Sequence, residues 1–252
     1  MYLSDRAYKC PAGHSYDISS KGYVNLLLSN TAGHGDSKDM VLARRSFLEK
    51  GYYAPLAEKI VSAVKKYDPS TLLDIGCGEG YYTEKVKNAL PGCDVYGFDI
   101  SKEAASRAAK RCKECNIAVA GAYKMPYKTG AFDLMYNIFS PLAPDEIGRG
   151  LKKGGIFIYA VSGREHLIEL KRAVYDSVFV KEEQDDKISG FELTEKDSIL
   201  YNMELDSPED IRALFDMTPY SKKTSLSGRE KLNKLEKLQV TAAFNILIYT
   251  RL

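Results

Sequence analysis

The sequence has no tryptophan and only three histidines, His14, His34 and His166, so no single histidine stands out as catalytic on its own. It has no uninterrupted apolar run of the ~18 residues a membrane helix needs. The first residues, Met1-Tyr-Leu-Ser-Asp-Arg-Ala-Tyr-Lys, lack the apolar core of a secretion signal, and the chain reads as cytoplasmic, with no membrane partner. Five cysteines, an odd number, do not amount to a disulfide framework. Cys112-x-x-Cys115 has no matching second pair, so it reads as two thiols at the end of a helix rather than half of a metal knuckle.

At 252 residues the chain fits one large domain, or a domain with an appendage, around a substantial core. Hydrophobic residues make up 44% and charged residues 28%, as in an ordinary globular chain. The net charge of +2 conceals an asymmetry. Glu182 to Asp210 holds eleven acids against Lys187 and Lys196, a net −9, which leaves +11 on the rest. A basic body with one acidic face is compatible with nucleic-acid binding, although charge alone does not choose a substrate.

The most informative stretch is Thr71-Leu-Leu-Asp-Ile-Gly-Cys-Gly-Glu-Gly-Tyr81. An apolar strand breaks into Asp74 and three glycines at alternate positions, Gly76, Gly78 and Gly80, before a helix begins near Tyr82. Free N–H groups at that helix start point at whatever lies over the loop. A second acid, Asp99, ends the next apolar run, Val95-Tyr-Gly-Phe-Asp-Ile100, where doubly wound sheets place the carboxylate that holds a ribose diol. An acid leading into the loop does not suit a pyrophosphate, but it suits a nucleoside carrying an amine, such as S-adenosylmethionine. The small residues Gly121 and Ala122, after the third strand, leave space for an adenine ring.

Around this loop, strands are expected at 71–76, 94–100, 117–122, 132–140 and 156–162, alternating with helices centred on 85, 107 and 147. Residues 36–67 read as two helices broken at Gly51. Ser101 and Ser207-Pro208 are helix starts. The run 242–251 closes the chain as a strand, completing an α/β, Rossmann-like sheet of seven mostly parallel strands. The polar stretch Ser221–Lys237 reads as a basic helix and loop on the rim. Residues 1–35 form a small irregular N-terminal module, and 36–252 the main domain.

Several segments have a narrower meaning. Cys10-Pro-Ala-Gly-His14, Lys21-Gly-Tyr-Val-Asn-Leu-Leu27, Ala43-Arg-Arg-Ser-Phe-Leu48, Gly51-Tyr-Tyr-Ala-Pro-Leu56, Gly163-Arg-Glu-His-Leu167, Met217-Thr-Pro219 and Phe244-Asn-Ile246 accompany the glycine loop. Together they resemble the bacterial 23S rRNA (guanine-N1-)-methyltransferases of the RlmA type, over nearly the whole chain. The resemblance implies a class I methyltransferase fold, S-adenosylmethionine as cofactor, 23S rRNA as partner and a homodimer, though no heptad or apolar stripe demands one. It also implies cofactor contacts at Tyr53, Gly78, Glu79 and His166. The family's N-terminal zinc module has a Cys-x-x-Cys followed by a Cys and a His four apart. Only Cys10 and His14 match it, with His34 a third donor outside the pattern, so no intact zinc site is expected.

Methylation at guanine N1 requires alignment of donor and acceptor, loss of the N1 proton and stabilisation of charge on O6. The segment Asn137-Ile-Phe-Ser-Pro-Leu142 lies where this fold presents its acceptor. Phe139 is placed to stack on a flipped base, with Asn137 or Ser140 to read its edge. No residue is assigned as the base, and the sequence does not choose between guanosines. Two other functions fit the glycine loop: a small-molecule methyltransferase, or a non-catalytic RNA-binding assembly factor that keeps the cofactor pocket.

Overall fold

A computed structural model describes residues 2–10, 13–27, 35–178 and 186–252. Three short strands, β1 (Tyr2–Ser4), β2 (Ala7–Lys9) and β3 (Ser15–Asp17), make a small antiparallel sheet of their own. β4 (Val24–Asn25) leaves that sheet and pairs in parallel with the edge of the large one. Two helices follow, α1 (Lys38–Glu49) and α2 (Ala54–Lys65), separated at Gly51, whose φ is +82°. The Ser37 hydroxyl caps α1 by accepting from the Met40 N–H at 3.3 Å.

The alternating core comprises β5 (Thr71–Ile75), α3 (Tyr81–Ala89), β6 (Asp94–Asp99), α4 (Lys102–Arg111), β7 (Asn116–Val119), β8 (Phe132–Ile138), α5 (Pro144–Gly150) and β9 (Leu151–Ser162). The five expected strands are all present, but β9 starts at Leu151, through a register shift that Gly154 accommodates at φ +72°. The rest is α6 (Ile168–Val174), β10 (Phe191–Leu205), α7 (Pro208–Asp216), α8 (Leu226–Asn233) and β11 (Leu238–Arg251). Ser101 and Ser207 cap α4 and α7 as expected.

Strand order across the large sheet is β10-β11-β9-β8-β5-β6-β7-β4. Seven of these strands form the expected mostly parallel sheet, with β11 running against both neighbours; β4 adds an eighth at the edge. The chain reverses direction across the sheet after β7, returning to β8 beside β5. That switch leaves a crevice at the carboxyl ends of β5, β6 and β8.

β10 was not expected from sequence. Four of the acids in the acidic run, Glu192, Glu195, Asp197 and Glu204, lie on it. Two of them meet lysines of the α2 region, Lys66 with Glu195 and Lys59 with Asp197, so part of the acidic face is an ion-paired sheet edge. The earlier acids, Glu182, Glu183 and Asp185, lie outside the described residues.

The sheet's two faces have separate cores. Leu72 packs on the face covered by α1 to α4, while Leu73 and Ile75 pack on the α5 face. The period of two therefore sets Asp74 on the α3 side of β5. Among the described residues, no helix is long and apolar enough to cross a membrane. Cys112 and Cys115, expected as thiols, are joined as a disulfide where α4 ends, with their Cα atoms 5.4 Å apart. The turn that brings the Cys115 N–H to the Cys112 carbonyl (3.2 Å) brings the sulfurs together.

Candidate cofactor and acceptor site

The crevice opens into a cavity of about 1440 Å³, more than the roughly 1,000 Å³ at the upper end for one small ligand. Nine of the ten sequence-derived candidates line it: Tyr53, Asp74, Gly76, Gly78, Glu79, Asp99, Gly121, Ala122 and His166. Gly80 does not. A Cβ there would lie 2.9 Å from the Ala108 Cα, so Gly80 allows α3 and α4 to meet. Gly76 answers a second close approach, since its Cβ would fall 2.2 Å from the Ser140 Oγ. Gly78, by contrast, has nothing within 4 Å of a Cβ and leaves free space above the loop.

Asp99 is held ready as an acceptor. Its Oδ2 accepts from the Gly78 N–H at 3.0 Å and its Oδ1 from the Ser101 N–H at 2.8 Å. Each oxygen keeps a lone pair for a hydroxyl. Burial raises the Asp99 pKa, and the two N–H groups oppose that shift. Asp74 is used differently. Its Oδ2 accepts from Thr83 Oγ1 at 2.6 Å and from the Tyr136 hydroxyl at 2.8 Å, which ties β5 to α3 and β8 under the loop. Burial pushes its pKa up to about 7, against the pull of both hydroxyls.

Glu79 is 2% exposed, and its Oε2 accepts from Arg111 at 2.8 Å. Arg111 also reaches Glu84 and Glu49, so one guanidinium gathers three carboxylates. Even with that partner, burial raises the Glu79 pKa to about 7.

Tyr53 and His166, 113 residues apart, meet with hydroxyl and Nε2 3.3 Å from each other. His166 Nδ1 faces the Ala243 N–H at 3.3 Å, and an N–H can only donate. Nδ1 is therefore the bare nitrogen, Nε2 carries the proton, and Nε2 donates to Tyr53. The Tyr53 proton is left free to donate elsewhere. Burial drives the His166 pKa down to about 3, so the ring stays neutral and is no proton acceptor near pH 7.

Phe139 adjoins this pair. It has the left-handed φ of +58°, a strained choice for a bulky residue, and the residue is 45% exposed and lines the cavity. Its centroid lies 6.3 Å from His166 and 5.6 Å from Phe244, so the backbone turn presents one ring face outward from an aromatic cluster. Asn137 does not read an edge. It is fully buried, donates to the Pro141 carbonyl at 3.0 Å and accepts from the Ser140 N–H at 3.0 Å, so it shapes the turn that carries Phe139.

The far end of the cavity reaches Tyr16 of the N-terminal sheet, His14 just before that strand, and Tyr123, which is 74% exposed. Cys10 Sγ lies 3.2 Å from His14 Nδ1. His34, the third candidate donor, lies outside the described residues. Sequence reasoning missed Tyr82, Arg44 and Arg111. Tyr82 was visible directly after the loop, whereas Arg44 and Arg111 come from helices whose packing no local pattern encodes.

A family model described as a methyltransferase domain matches residues 72–155. The solved structure of YcgJ from Bacillus subtilis superposes with a TM-score of 0.52 at 16% identity, covering 77% of this chain and 97% of that one. The MccD protein gives 0.50 at 20% identity, over 79% and 98%. The chain has the class I methyltransferase fold.

In sequence, this methyltransferase-fold chain is 35% identical over 176 residues to the 23S rRNA (guanine(748)-N(1))-methyltransferase of Streptomyces fradiae, covering 68% of this chain and 63% of the relative. It is 33% identical to a putative 23S rRNA (guanine-N(1)-)-methyltransferase, YxjB, of Bacillus subtilis, over 65% and 60%. The resemblance read from the loop and its flanking segments is thus found in alignments over about two thirds of this chain, less than the nearly whole length expected from the segments. The methyltransferase-fold chain spans about three fifths of the length of these curated relatives.

Proposed function

We propose that this chain transfers a methyl group from S-adenosylmethionine to N1 of a guanosine in 23S rRNA. The observation that carries the reading is the exposed Phe139 ring, sharing one cavity with the glycine loop and Asp99. A nucleoside site alone needs no outward aromatic, whereas a flipped base is held by stacking on such a face. The names of the aligned relatives supply the RNA and the atom.

The residues fit S-adenosylmethionine. Asp99 accepts from ribose hydroxyls while two backbone N–H groups hold it in place. Gly78 leaves open space over the loop, and the nearest atom to a Cβ on Gly121 is 3.9 Å away, so a flat ring can lie against the backbone there. When bound, the cofactor supplies a methyl on a positively charged sulfur that departs as a neutral thioether. The chain's work is alignment, since an in-line displacement needs contact and direction more than a new functional group. Phe139 fixes the plane of the base. The cluster of Tyr53, His166 and Phe244 behind it resists tilting and keeps water from that side. His166 stays neutral and so adds no positive charge beside a cationic sulfur.

A 23S rRNA substrate would be met in the cytoplasm, and the family resemblance leads us to expect a homodimer, which sedimentation would test. Incubation with methyl-labelled S-adenosylmethionine and unmodified 23S rRNA fragments tests the reading. Label is expected in the RNA, with RNA affinity falling steeply as salt rises. Binding of the cofactor without label in RNA would contradict it and favour a small-molecule acceptor or a non-catalytic role.

A further inference from the structure

Among the described residues, two buried side-chain polar atoms have no hydrogen-bond partner, Glu79 Oε1 and the Tyr82 hydroxyl. Both residues line the central cavity. Folded proteins pair nearly all such atoms, so two orphans on one cavity wall mark partners that arrive from outside. Their chemistry is complementary. A carboxylate oxygen only accepts, and a phenol hydroxyl has a proton to give.

We propose that Glu79 and Tyr82 clamp the amino-acid end of the methyl donor, with Glu79 Oε1 accepting from the α-ammonium and Tyr82 donating to the α-carboxylate. This rests on the S-adenosylmethionine reading and assigns to Tyr82 a role that neither loop nor resemblance gave it. Three features support the polarity. Glu79 is anchored through its other oxygen by Arg111, which leaves Oε1 fixed and available. Arg44 lines the same cavity, held by Asp36 and by the Met217 carbonyl (3.1 Å), and its charge acts on both Tyr53 and Tyr82. The free Tyr53 proton adds a second donor on the carboxylate side. Asp74 has its Oδ2 occupied by Thr83 and Tyr136, so only its Oδ1 is left to join Glu79 at the ammonium.

The clamp separates full donors from truncated nucleosides, and calorimetry on the whole chain reads this directly. The ligands are S-adenosylhomocysteine, which keeps the amino acid, 5′-methylthioadenosine, which lacks it, and free methionine. Wild type is expected to bind the first far more tightly than the other two. Tyr82→Phe is expected to weaken S-adenosylhomocysteine about tenfold, the loss of one hydrogen bond to a charged group, and to leave 5′-methylthioadenosine within twofold. The substitution breaks no protein bond, so its melting temperature should not fall.

A second readout is the proton count. Glu79 holds its proton up to about 7, so an arriving ammonium should expel it near neutral pH. Titrations in buffers of different ionisation enthalpy should show proton release with S-adenosylhomocysteine and none with 5′-methylthioadenosine. Equal affinities of wild type and Tyr82→Phe for S-adenosylhomocysteine would overturn the clamp and leave the cofactor site standing. A wild type that binds neither nucleoside would overturn both.

Discussion

The two ends of the cavity are built on opposite principles. At the proposed donor end, side chains are buried and largely committed: Asp74 to two hydroxyls, Asp99 to two backbone N–H groups, Glu79 to Arg111. At the proposed acceptor end the aromatics are exposed, with Phe139 at 45% and Tyr123 at 74%, and the wall is completed by the N-terminal sheet. A cofactor has one shape and one charge pattern, so its site can be fixed beforehand at little cost. On the proposed function, a nucleotide in a folded RNA would bring its own scaffold, and the open aromatic faces would serve it for stacking.

The contrast breaks most sharply at Asp99. Asp99→Ala removes an acceptor for two hydroxyls together with the loop's anchor, and S-adenosylhomocysteine affinity should fall about 100-fold by calorimetry, since each charge-assisted bond carries about 1.5–3 kcal/mol. Phe139→Ala should do the reverse. Methyl transfer to RNA should fall on the order of 10- to 100-fold, the cost of one stacked base, with S-adenosylhomocysteine affinity unchanged. If donor affinity fell in step with transfer, the two ends would not be separate.

Within the loop, Gly80→Ala should lower stability by about 1–3 kcal/mol in a denaturant melt, because its Cβ meets the Ala108 backbone at φ +87°. Gly78→Ala has open space, so it should cost only its backbone strain, about 1–2 kcal/mol, and act mainly on cofactor affinity.

The last effect is in pH. Asp74 and Glu79 have folded pKa values raised to about 7, so the stability they confer on the free protein is complete below about pH 4 and lost as pH rises towards 7. His166 has the opposite sign, with a folded value lowered to about 3. Its contribution is complete above about 6.5 and lost as pH falls from there. Glu79→Gln should therefore flatten the fall in melting temperature between about pH 4.5 and 7, and His166→Gln should not.

How much of this was legible follows from the range of each interaction. The apolar strands, the Gly51 break and the Ser101 and Ser207 caps are local patterns, and each is found in the structure. The loop's chemistry was legible because Asp74, the glycines and Asp99 fall within one strand–helix–strand unit. β10 was not, because an edge strand that carries four acids in its fifteen residues looks like a solvated loop until its partner β11 is known. The two-residue β4 is too short to carry a pattern. The Tyr53–His166 pair and the committed state of Asn137 depend on contacts that only the fold creates. Cys10 and His14 supply two of the four ligands a closed zinc site takes, and metal analysis of the purified chain should find no tightly held zinc.

The most direct measurement is of the product itself. Unmodified 23S rRNA incubated with this chain and S-adenosylmethionine, digested to nucleosides and analysed by mass spectrometry, should contain 1-methylguanosine. A methyl group on any other base or position, or none in RNA while the cofactor is bound, would contradict the proposed function.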